Sequence, residues 1–358
     1  MNNTPPDPPV EARAARPTLA QLAHVAGVNK STASRALRGD TAIALATRTR
    51  IQQLARELGY EPNASARRLF YARTDVIAFT LHDFRRLESG SDPFIAELLE
   101  AVLNEAASHQ LDVLICRPQP GTAELDSYHR IVGGHHVDGV IVMDLRPGDP
   151  RITYLCAQRF PHVLFGRSSL EVDQAREYPY PWVEVDNRAG ARMGTEHLLA
   201  LGHRRIAFLG CGDVYTFELD RRAGYQDALA ASGIPYADEL CTPSGASQED
   251  GCRLTTELLA MADPPTAIFA VSDVLAVGAM RALRDAGRTV GADFPVMGFD
   301  GLGLGAYLQP QLTTIRQPLG NVGRALVRLL VATLRSESPP EHVMLPPELI
   351  VRASTVSG

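Results

Sequence analysis

Lysine, arginine and small hydroxyl side chains recur at regular spacing between residues 30 and 38. Ser31, Ser34, Arg35 and Arg38 follow Lys30 by one, four, five and eight positions, which puts them near one face of a helix. Long cations and hydroxyls at the start of a helix suit the edges of bases in the DNA major groove. The pattern predicts a DNA-reading helix, although spacing alone also fits a helical hairpin with a solvated face.

The sequence contains no recognisable catalytic or cofactor motif. Neither G-x-S-x-G nor the phosphate-binding G-x-x-x-x-G-K-[ST] occurs. The stretch 210–215 begins like a dinucleotide loop, but Tyr215 stands where the third glycine belongs, so a turn at a cleft edge is expected. His135 and His136 diverge on a helix and have no partner at metal spacing. We therefore expect no enzyme, no cofactor and no metal.

The spacing of the cysteines and the hydropathy of the chain indicate its cellular compartment. The five cysteines are scattered without a C-x-x-C, which is typical of reduced thiols in a cytoplasm. The N-terminus lacks the apolar core of a secretory signal, and no window of about 18 uncharged apolar residues could span a membrane. We expect a cytoplasmic protein without a membrane partner. The cysteines are Cys116, Cys156, Cys211, Cys241 and Cys252.

Charge is divided unevenly along the chain. Residues 18–70 carry eight basic and three acidic side chains, a net +5, whereas the whole chain has a net charge of −6. A small basic head on a large acidic body fits a head that contacts a polyanion. A solvated charged face would give the same count, so charge by itself does not decide.

The head must be helical to present those cations. Thr18 can cap a helix from Leu19 to the Gly27 turn, and Asn29 can cap a second helix to Leu37. Thr47 can cap a third helix through Leu58, with Gly59 as its stop. Residues 63–70 could form a short helix of their own, and the Pro- and Ala-rich residues 1–16 predict a disordered tail.

After residue 74 short apolar runs alternate with amphipathic stretches, which predicts α/β structure with doubly wound parallel sheets. This part of the chain is long enough for two subdomains. Ligands of such folds bind at the carboxyl ends of the strands, here in a cleft between the halves. The predicted strands are Val76–Leu81, Val113–Cys116, Gly139–Met143, Val163–Phe165, Trp182–Val185, Ile206–Leu209, Ala267–Val271 and Val296–Phe299, and the helices between them are Pro93–His109, Gly190–Ala200, Ala223–Ala231, Gly251–Met261 and Asp273–Ala286.

The head resembles the DNA-binding head of the lactose-repressor/galactose-repressor family. The resemblance lies in residues 18–37, with an Ala-Gly-Val turn and a Ser-Arg-x-Leu ending, and in the L-G-Y-x-P-N-x-x-A-R-x-L run of residues 58–69. It implies a helix-turn-helix followed by a hinge helix. Base-reading positions would be Lys30, Ser31 and Arg35; backbone or positioning contacts Thr18, Ser34, Thr47, Tyr60 and Asn63; and minor-groove residues of the hinge Ala66, Arg67 and Leu69, with Leu69 as an apolar wedge.

The body is similar to the same family over nearly its whole length. The landmarks are V-D-G-V-I at 137–141, F-G-R at 165–167, V-D-N-x-x-G at 185–190, L-G-H-R-R-I at 201–206, R-x-x-G-Y at 221–225, G-F-D at 298–300, L-T-T-I-x-Q at 312–317 and L-I-V-R-A-S-T at 349–355. The resemblance implies two subdomains of the periplasmic-binding-protein-like type. We expect the effector to contact Phe94, Arg167, Arg221, Ser272 and Asp300.

The resemblance further implies a division of the chain into parts. A helix-turn-helix domain at 17–61 and a hinge and linker at 62–73 would precede the effector-binding and dimerisation domain at 74–358. Within it, one subdomain would comprise about 74–179 and 313–338, and the other about 180–312 and 339–358.

We expect a homodimeric repressor that a sugar-like or polyol inducer releases from a palindromic double-stranded DNA operator. The alternatives left open are a purine- or nucleoside-responsive corepressor-type regulator and a solute-binding protein of a transporter.

Overall fold

The computed structural model describes the helical head and most of the body. The described residues are 17–37, 39–60, 73–81, 93–117, 125–167, 180–210, 212, 214–243, 245, 247–291, 293–336 and 342–356. The predicted tail at 1–16 and the hinge residues Asn63, Ala66, Arg67 and Leu69 lie outside them. The chain divides into two compact units, residues 1–74 and 75–358.

Within its described residues, the first unit has three helices: α1 (Leu19–Val25), α2 (Lys30–Leu37) and α3 (Leu45–Glu57). Thr18 and Gln21 form a reciprocal capping box at the start of α1, and the Asn29 side chain accepts the Thr32 N–H at 2.7 Å at the start of α2. Gly27 has a φ of +65° in the turn, a conformation that only glycine adopts without strain. The apolar faces meet in a core of Leu22, Ala26, Ala36, Ile51 and Ala55.

The predicted start of the third helix is wrong. Helix α3 begins at Leu45, its N-cap is Ala44, and no side chain caps it. Thr47 therefore lies inside the first turn instead of ahead of it. The prediction favoured Thr47 because threonine is a good N-cap, but the helix also accommodates Leu45 and Ala46, which have high helix propensity.

In the part of the chain that the structure describes, the first sheet of the second unit has six strands in the order β10-β5-β4-β3-β1-β2, with all neighbours parallel. Apolar residues cover both its faces, as expected for a parallel sheet between helices. Its strands are β1 (Val76–Thr80), β2 (Asp112–Cys116), β3 (Gly139–Val142), β4 (His162–Phe165), β5 (Trp182–Val185) and β10 (His342–Leu345).

The second sheet has five strands in the order β11-β9-β8-β7-β6, and only β11 is antiparallel to its neighbour among these described strands. The buried apolar residues of this sheet and of the helices packed on it form one cluster. Its strands are β6 (Ile206–Leu209), β7 (Ala267–Ala270), β8 (Val296–Asp300), β9 (Thr313–Arg316) and β11 (Glu348–Ile350).

Helices flank both sheets. The helices predicted to begin at Gly190, Ala223 and Gly251 begin earlier in the structure. Their N-terminal residues are largely polar, so the apolar pattern that predicted each helix starts only after them. Around the first sheet lie α4 (Pro93–Ser108), α5 (Pro150–Ala157), α10 (Leu319–Arg335) and short helical turns at 126–128 and 129–133; around the second lie α6 (Asn187–Ala200), α7 (Thr216–Ala231), α8 (Gln248–Leu259), α9 (Asp273–Asp285) and 3-10 turns at 238–240 and 303–306.

The predicted subdomain boundaries need correction. Strand β5 belongs to the first sheet, so the chain passes to the second subdomain after Val185 and not near Tyr180. Strand β9 belongs to the second sheet, so the chain returns after Arg316 and not at Thr313. The chain then forms β10 in the first sheet. It crosses a third time to form β11 in the second sheet. Buried parallel strands have similar apolar sequences, so the sequence does not show which sheet a strand joins. The hydrogen-bonded neighbours of the strand show it.

Three further sequence expectations concern thiols, membranes and metals. Cys116, Cys156 and Cys252 carry free thiols, but Cys241 is disulfide-bonded, so the expectation of reduced thiols is wrong there. An isolated β-bridge places the Cys241 backbone beside Phe208 of β6, a position that the spacing of the cysteines along the chain could not show. None of the described helices is long and apolar enough to cross a membrane. The described residues contain no cluster of three metal-ligating side chains.

Candidate functional site

A cleft of about 490 Å³ opens between the two subdomains at the carboxyl ends of their strands. Strands β3, β4, β5 and β8 end at it, and the first turns of α4, α6 and α7 close its sides. Parallel strands direct their following loops to one edge, which explains why residues distant in sequence meet there. The lining residues are Phe94, Met143, Asp144, Leu145, Phe165, Gly166, Glu184, Asn187, Thr216, Phe217, Arg221, Asp300 and Gln317.

Arg221 lies at the base of the cleft on α7 and is 4% exposed. Its Nε donates to Asn187 Oδ1 at 2.8 Å, and its Nη1 donates to the Val271 carbonyl. The guanidinium also lies 3.6 Å from the Phe299 ring centroid and 4.9 Å from that of Phe217. These contacts fix a planar, always charged donor in one orientation.

Asp300 ends β8 and faces Arg221, with Oδ1 3.7 Å from Arg221 Nη1. It also accepts a hydrogen bond of 2.8 Å from Gln317 Nε2. Its φ of +115° is costly for a non-glycine residue. Behind it, burial and the Asp300 charge raise the pKa of Asp273 well above its usual range. Asp300 and Arg221 thus offer an acceptor and a donor side by side, a pairing suited to vicinal hydroxyls.

Glu184 projects from β5 into the cleft and is almost fully buried. It forms an ion pair with Arg167, and Asn187 Nδ2 lies 3.4 Å from its Oε1. Burial raises the pKa of Glu184 to about 7, an effect that Arg167 opposes and the Asp220 carboxylate increases. A buried carboxyl with such a perturbed pKa at a cleft marks a candidate functional group.

Aromatic side chains supply the apolar part of the lining. Phe94 from the start of α4 and Phe165 from the end of β4 have centroids 6.2 Å apart and planes 9° from parallel. Phe217 contributes a third ring from α7. Flat apolar rings next to convergent polar groups are usual in small-molecule sites, where the rings bind the apolar faces and polar groups fix orientation.

The loop after β3 is held to the rim by a fully buried ion pair. Arg151 and Asp149 are 1% and 0% exposed, with Nη2 and Oδ2 2.6 Å apart. Arg151 Nη2 also donates to the Asp144 carbonyl at 2.7 Å, which fixes Asp144 at a φ of +53°. From the other subdomain, the Thr216 N–H donates to the Leu145 carbonyl at 2.9 Å.

The predicted DNA-reading side chains lie on the outer face of α2. Lys30, Ser31 and Arg35 are exposed and Ser34 is half-buried, whereas Ala33 and Ala36 face the core. Arg35 Nε lies 2.8 Å from Asp40 Oδ2. The first turn of α2 therefore presents a lysine and a serine together, in the placement that helix-turn-helix proteins use in the major groove.

Comparisons with known proteins match both units. The model of bacterial regulatory proteins of the lacI family matches residues 18–63, and that of the periplasmic binding protein-like domain matches 195–355. The HTH-type transcriptional regulator CelR of Thermobifida fusca is 32% identical over 96% of this chain and 99% of its own length. This chain belongs to the LacI family of bacterial regulatory proteins.

Solved structures agree with this membership. A complex of the transcriptional regulator CelR with cellobiose has a TM-score of 0.73 and 32% identity, covering 95% of this chain and all of that one. The lac repressor dimer bound to operator and the anti-inducer ONPF has a TM-score of 0.82 and 26% identity, covering 96% and 100%. The family model and the relative are both of transcriptional regulators.

The predicted effector residues of this LacI-family regulator fall into three groups. Phe94, Arg221 and Asp300 line the cleft. Arg167 lies behind the lining and contacts it through Glu184. Ser272 is not among the lining residues; its hydroxyl caps α9 by accepting the Leu275 N–H at 3.3 Å. A cap requirement explains the serine, so its prediction as a ligand contact is not supported by its position.

Sequence reasoning missed several lining residues of the LacI-family cleft. Glu184 is an acid inside an otherwise apolar strand, a pattern that could have identified it, since a buried acid needs a partner. Asn187 and Gln317 stood within the family landmarks without being singled out. Asp144 and Phe217 have no such mark in the sequence, because they reach the cleft only through the loop after β3 and the early start of α7.

Proposed function

We propose that this LacI-family regulator is a homodimeric repressor that a carbohydrate effector releases from a near-palindromic operator. The arrangement that supports this most directly is the cleft itself. Arg221 and Asp300 place a donor and an acceptor together beside the parallel Phe94 and Phe165 rings. Hydroxyls and the apolar face of a sugar ring match these two surfaces. The CelR structure holds cellobiose, which supports the same ligand class.

In the head, Lys30, Ser31 and Arg35 are proposed to contact base edges, since they are exposed together on α2. Each recognition helix reads one half-site, so two copies related by a twofold axis would bind a palindrome. We propose that the regulator acts in the cytoplasm, because the DNA that it is proposed to bind is there. Backbone or positioning contacts are proposed for Thr18, Ser34, Thr47, Tyr60 and Asn63, and minor-groove contacts for Ala66, Arg67 and Leu69.

An open strand edge with exposed apolar side chains on the first subdomain supports the dimer. Strand β2 is at the edge of its sheet, and its Leu114 and Ile115 are 39% and 48% exposed. Leu103 on the neighbouring α4 is also exposed. Exposed apolar clusters and open strand edges mark interaction surfaces, and the lac repressor structure is a dimer on its operator. We propose that a second copy covers this strand edge.

Coupling between cleft and head would depend on subdomain closure. Arg167 and Asp220 form an ion pair of 3.3 Å between the subdomains, and Thr216 bonds to Leu145 nearby. A sugar that binds one arrangement of the subdomains better than the other shifts the equilibrium by that difference in affinity. We propose that the favoured arrangement separates the two hinge segments and so weakens operator binding.

A mobility-shift assay tests the proposal. The full-length protein is mixed with DNA from upstream of its own gene, alone and with pools of neutral sugars, polyols and nucleosides. A specific shift that a sugar or polyol pool releases supports the proposal. A shift that a pool strengthens replaces the inducer with a corepressor. Absence of a specific shift, with sugar binding still measurable by calorimetry, would overturn the regulatory role.

A further inference from the structure

The charged side chains of the cleft are biased toward carboxylates. Asp144, Glu184 and Asp300 line it together with one cation, Arg221. Close behind, Arg167 is shared between Glu184 and Asp220. Within the part of the chain that the structure describes, the lining therefore holds three acidic groups against one basic group.

The cleft's arginine is already engaged by protein acceptors. Arg221 donates to Asn187 and Val271, faces Asp300, and has aromatic rings at both Phe217 and Phe299. Because the carboxylate of Asp300 already balances the Arg221 charge, a phosphate or carboxylate entering the cleft would gain little net attraction from the guanidinium. It would also lose hydration next to fixed negative charges, a cost that only an available cation could offset.

We propose that this cleft selects its sugar by charge, accepting neutral and amine-bearing sugars and rejecting sugar phosphates and sugar acids, with Glu184 as the principal selecting residue. This inference rests on the proposed carbohydrate response and specifies its ligand class. Glu184 has this role because its buried carboxylate stands inside the lining, fixed by Arg167 and Asn187. Above the Glu184 pKa of about 7, for example at about pH 8 where the panel is measured, the carboxyl is ionised. A ligand anion beside it is then repelled across a medium that screens poorly.

The test is a binding panel in which only charge varies on a given sugar scaffold. Glucose, glucosamine, glucuronate and the phosphate ester of glucose at its primary hydroxyl form one set. The galactose counterparts form a second, and cellobiose with its phosphate ester forms a third. Binding to the full-length protein is measured by calorimetry and by the fluorescence of Trp182. Trp182 is the chain's single tryptophan. Its ring centroid lies 5.8 Å from Arg167 Cζ.

We expect the neutral or amino member of the bound set to bind at least about tenfold more tightly than its anionic member. An anionic member that binds as tightly or more tightly overturns charge selection and leaves the carbohydrate response intact. If no member of any set binds, both the carbohydrate response and this inference are overturned.

The Glu184→Gln variant tests whether Glu184 causes the discrimination against anionic sugars. Glutamine keeps the shape and an oxygen acceptor for Arg167 but removes the charge, so discrimination against the anionic member should fall about tenfold. Glu257→Gln is the matched control, since Glu257 pairs with Arg253 on the outer face of α8, and it should retain full discrimination. Unchanged discrimination in Glu184→Gln would overturn the role of Glu184. If that variant does not fold, Asp144→Asn and the wild-type panel still test the charge selection.

Discussion

Arg167 Nη2 lies 3.3 Å from Asp220 Oδ2 and joins the loop after β4 in the first subdomain to α7 in the second. The same guanidinium pairs with Glu184 on its own sheet. Both members of the Arg167–Asp220 pair are about one-third exposed, so solvent screens it. We therefore assign it an effect on subdomain arrangement more than on stability.

Replacing Asp220 with asparagine should weaken sugar response without unfolding the protein. A partly exposed pair contributes about 0.5 kcal/mol, so the melting temperature should change little. The half-effective sugar concentration in the mobility-shift assay should rise severalfold, because a contact that distinguishes the two subdomain arrangements is lost. Asp227→Asn is the control: it is on the same helix, but its partner Arg188 lies within the second subdomain. Equal effects of the two variants would argue against a role in subdomain arrangement.

Replacing Arg221 with lysine should impair effector binding while sparing DNA binding. Lysine keeps the charge but cannot reproduce the fork that contacts Asn187, Val271 and Asp300. We expect a loss of about 2 kcal/mol in sugar binding, or roughly thirtyfold. Calorimetry measures the sugar and mobility shift measures the operator. A variant that binds the sugar as the wild type does would remove Arg221 from the site.

Glu184 should make stability decrease as pH rises. Its pKa is about 7 in the folded protein against an ordinary value near 4.5, so between these values the folded state binds more protons than the unfolded state. The free energy of unfolding therefore falls with rising pH across this window. Relative to Glu184→Gln, the wild type should lose up to about 3 kcal/mol by about pH 8.

Denaturant titrations followed by Trp182 fluorescence at about pH 5 and about pH 8 measure this difference. Glu257→Gln again serves as the control, because its carboxylate is exposed and outside the cleft. Parallel pH profiles for the wild type and Glu184→Gln would contradict the assignment of a raised pKa to Glu184.

In the head, Arg35 and Asp40 should have opposite effects on DNA affinity. Arg35→Ala removes a proposed base contact and should cost about 1–3 kcal/mol on the operator, with a smaller loss on unrelated DNA. Asp40→Asn frees Arg35 from its ion pair and removes a nearby negative charge, while the asparagine oxygen can still accept the Ala42 N–H. Its affinity should rise severalfold.

Mobility shifts on operator and scrambled DNA, repeated at two salt concentrations, check both substitutions. A loss for Arg35→Ala that is equal on the two DNAs would identify a phosphate contact and not a base contact.

The most local features of the chain could be predicted from sequence. The Thr18 and Asn29 caps and the Gly27 turn depend on residues within three or four positions of one another, and so do the apolar faces of α1 and α2. The order of alternating strands and helices is equally local, because each element shows its own hydrophobic period. Family landmarks then added Arg221 and Asp300 by position.

What only the tertiary structure decided is pairing between distant segments. Strands β5, β9 and β10 are all short and largely apolar, and hydrogen-bonded neighbours alone assign them to their sheets. Glu184 became a site residue because β5 ends at the cleft beside Arg167, and its pKa rises because surrounding elements exclude water. The sequence by itself determined which elements form and what chemistry they carry, since those depend on near neighbours. Which side chains share one water-poor cleft depends on how the sheets assemble.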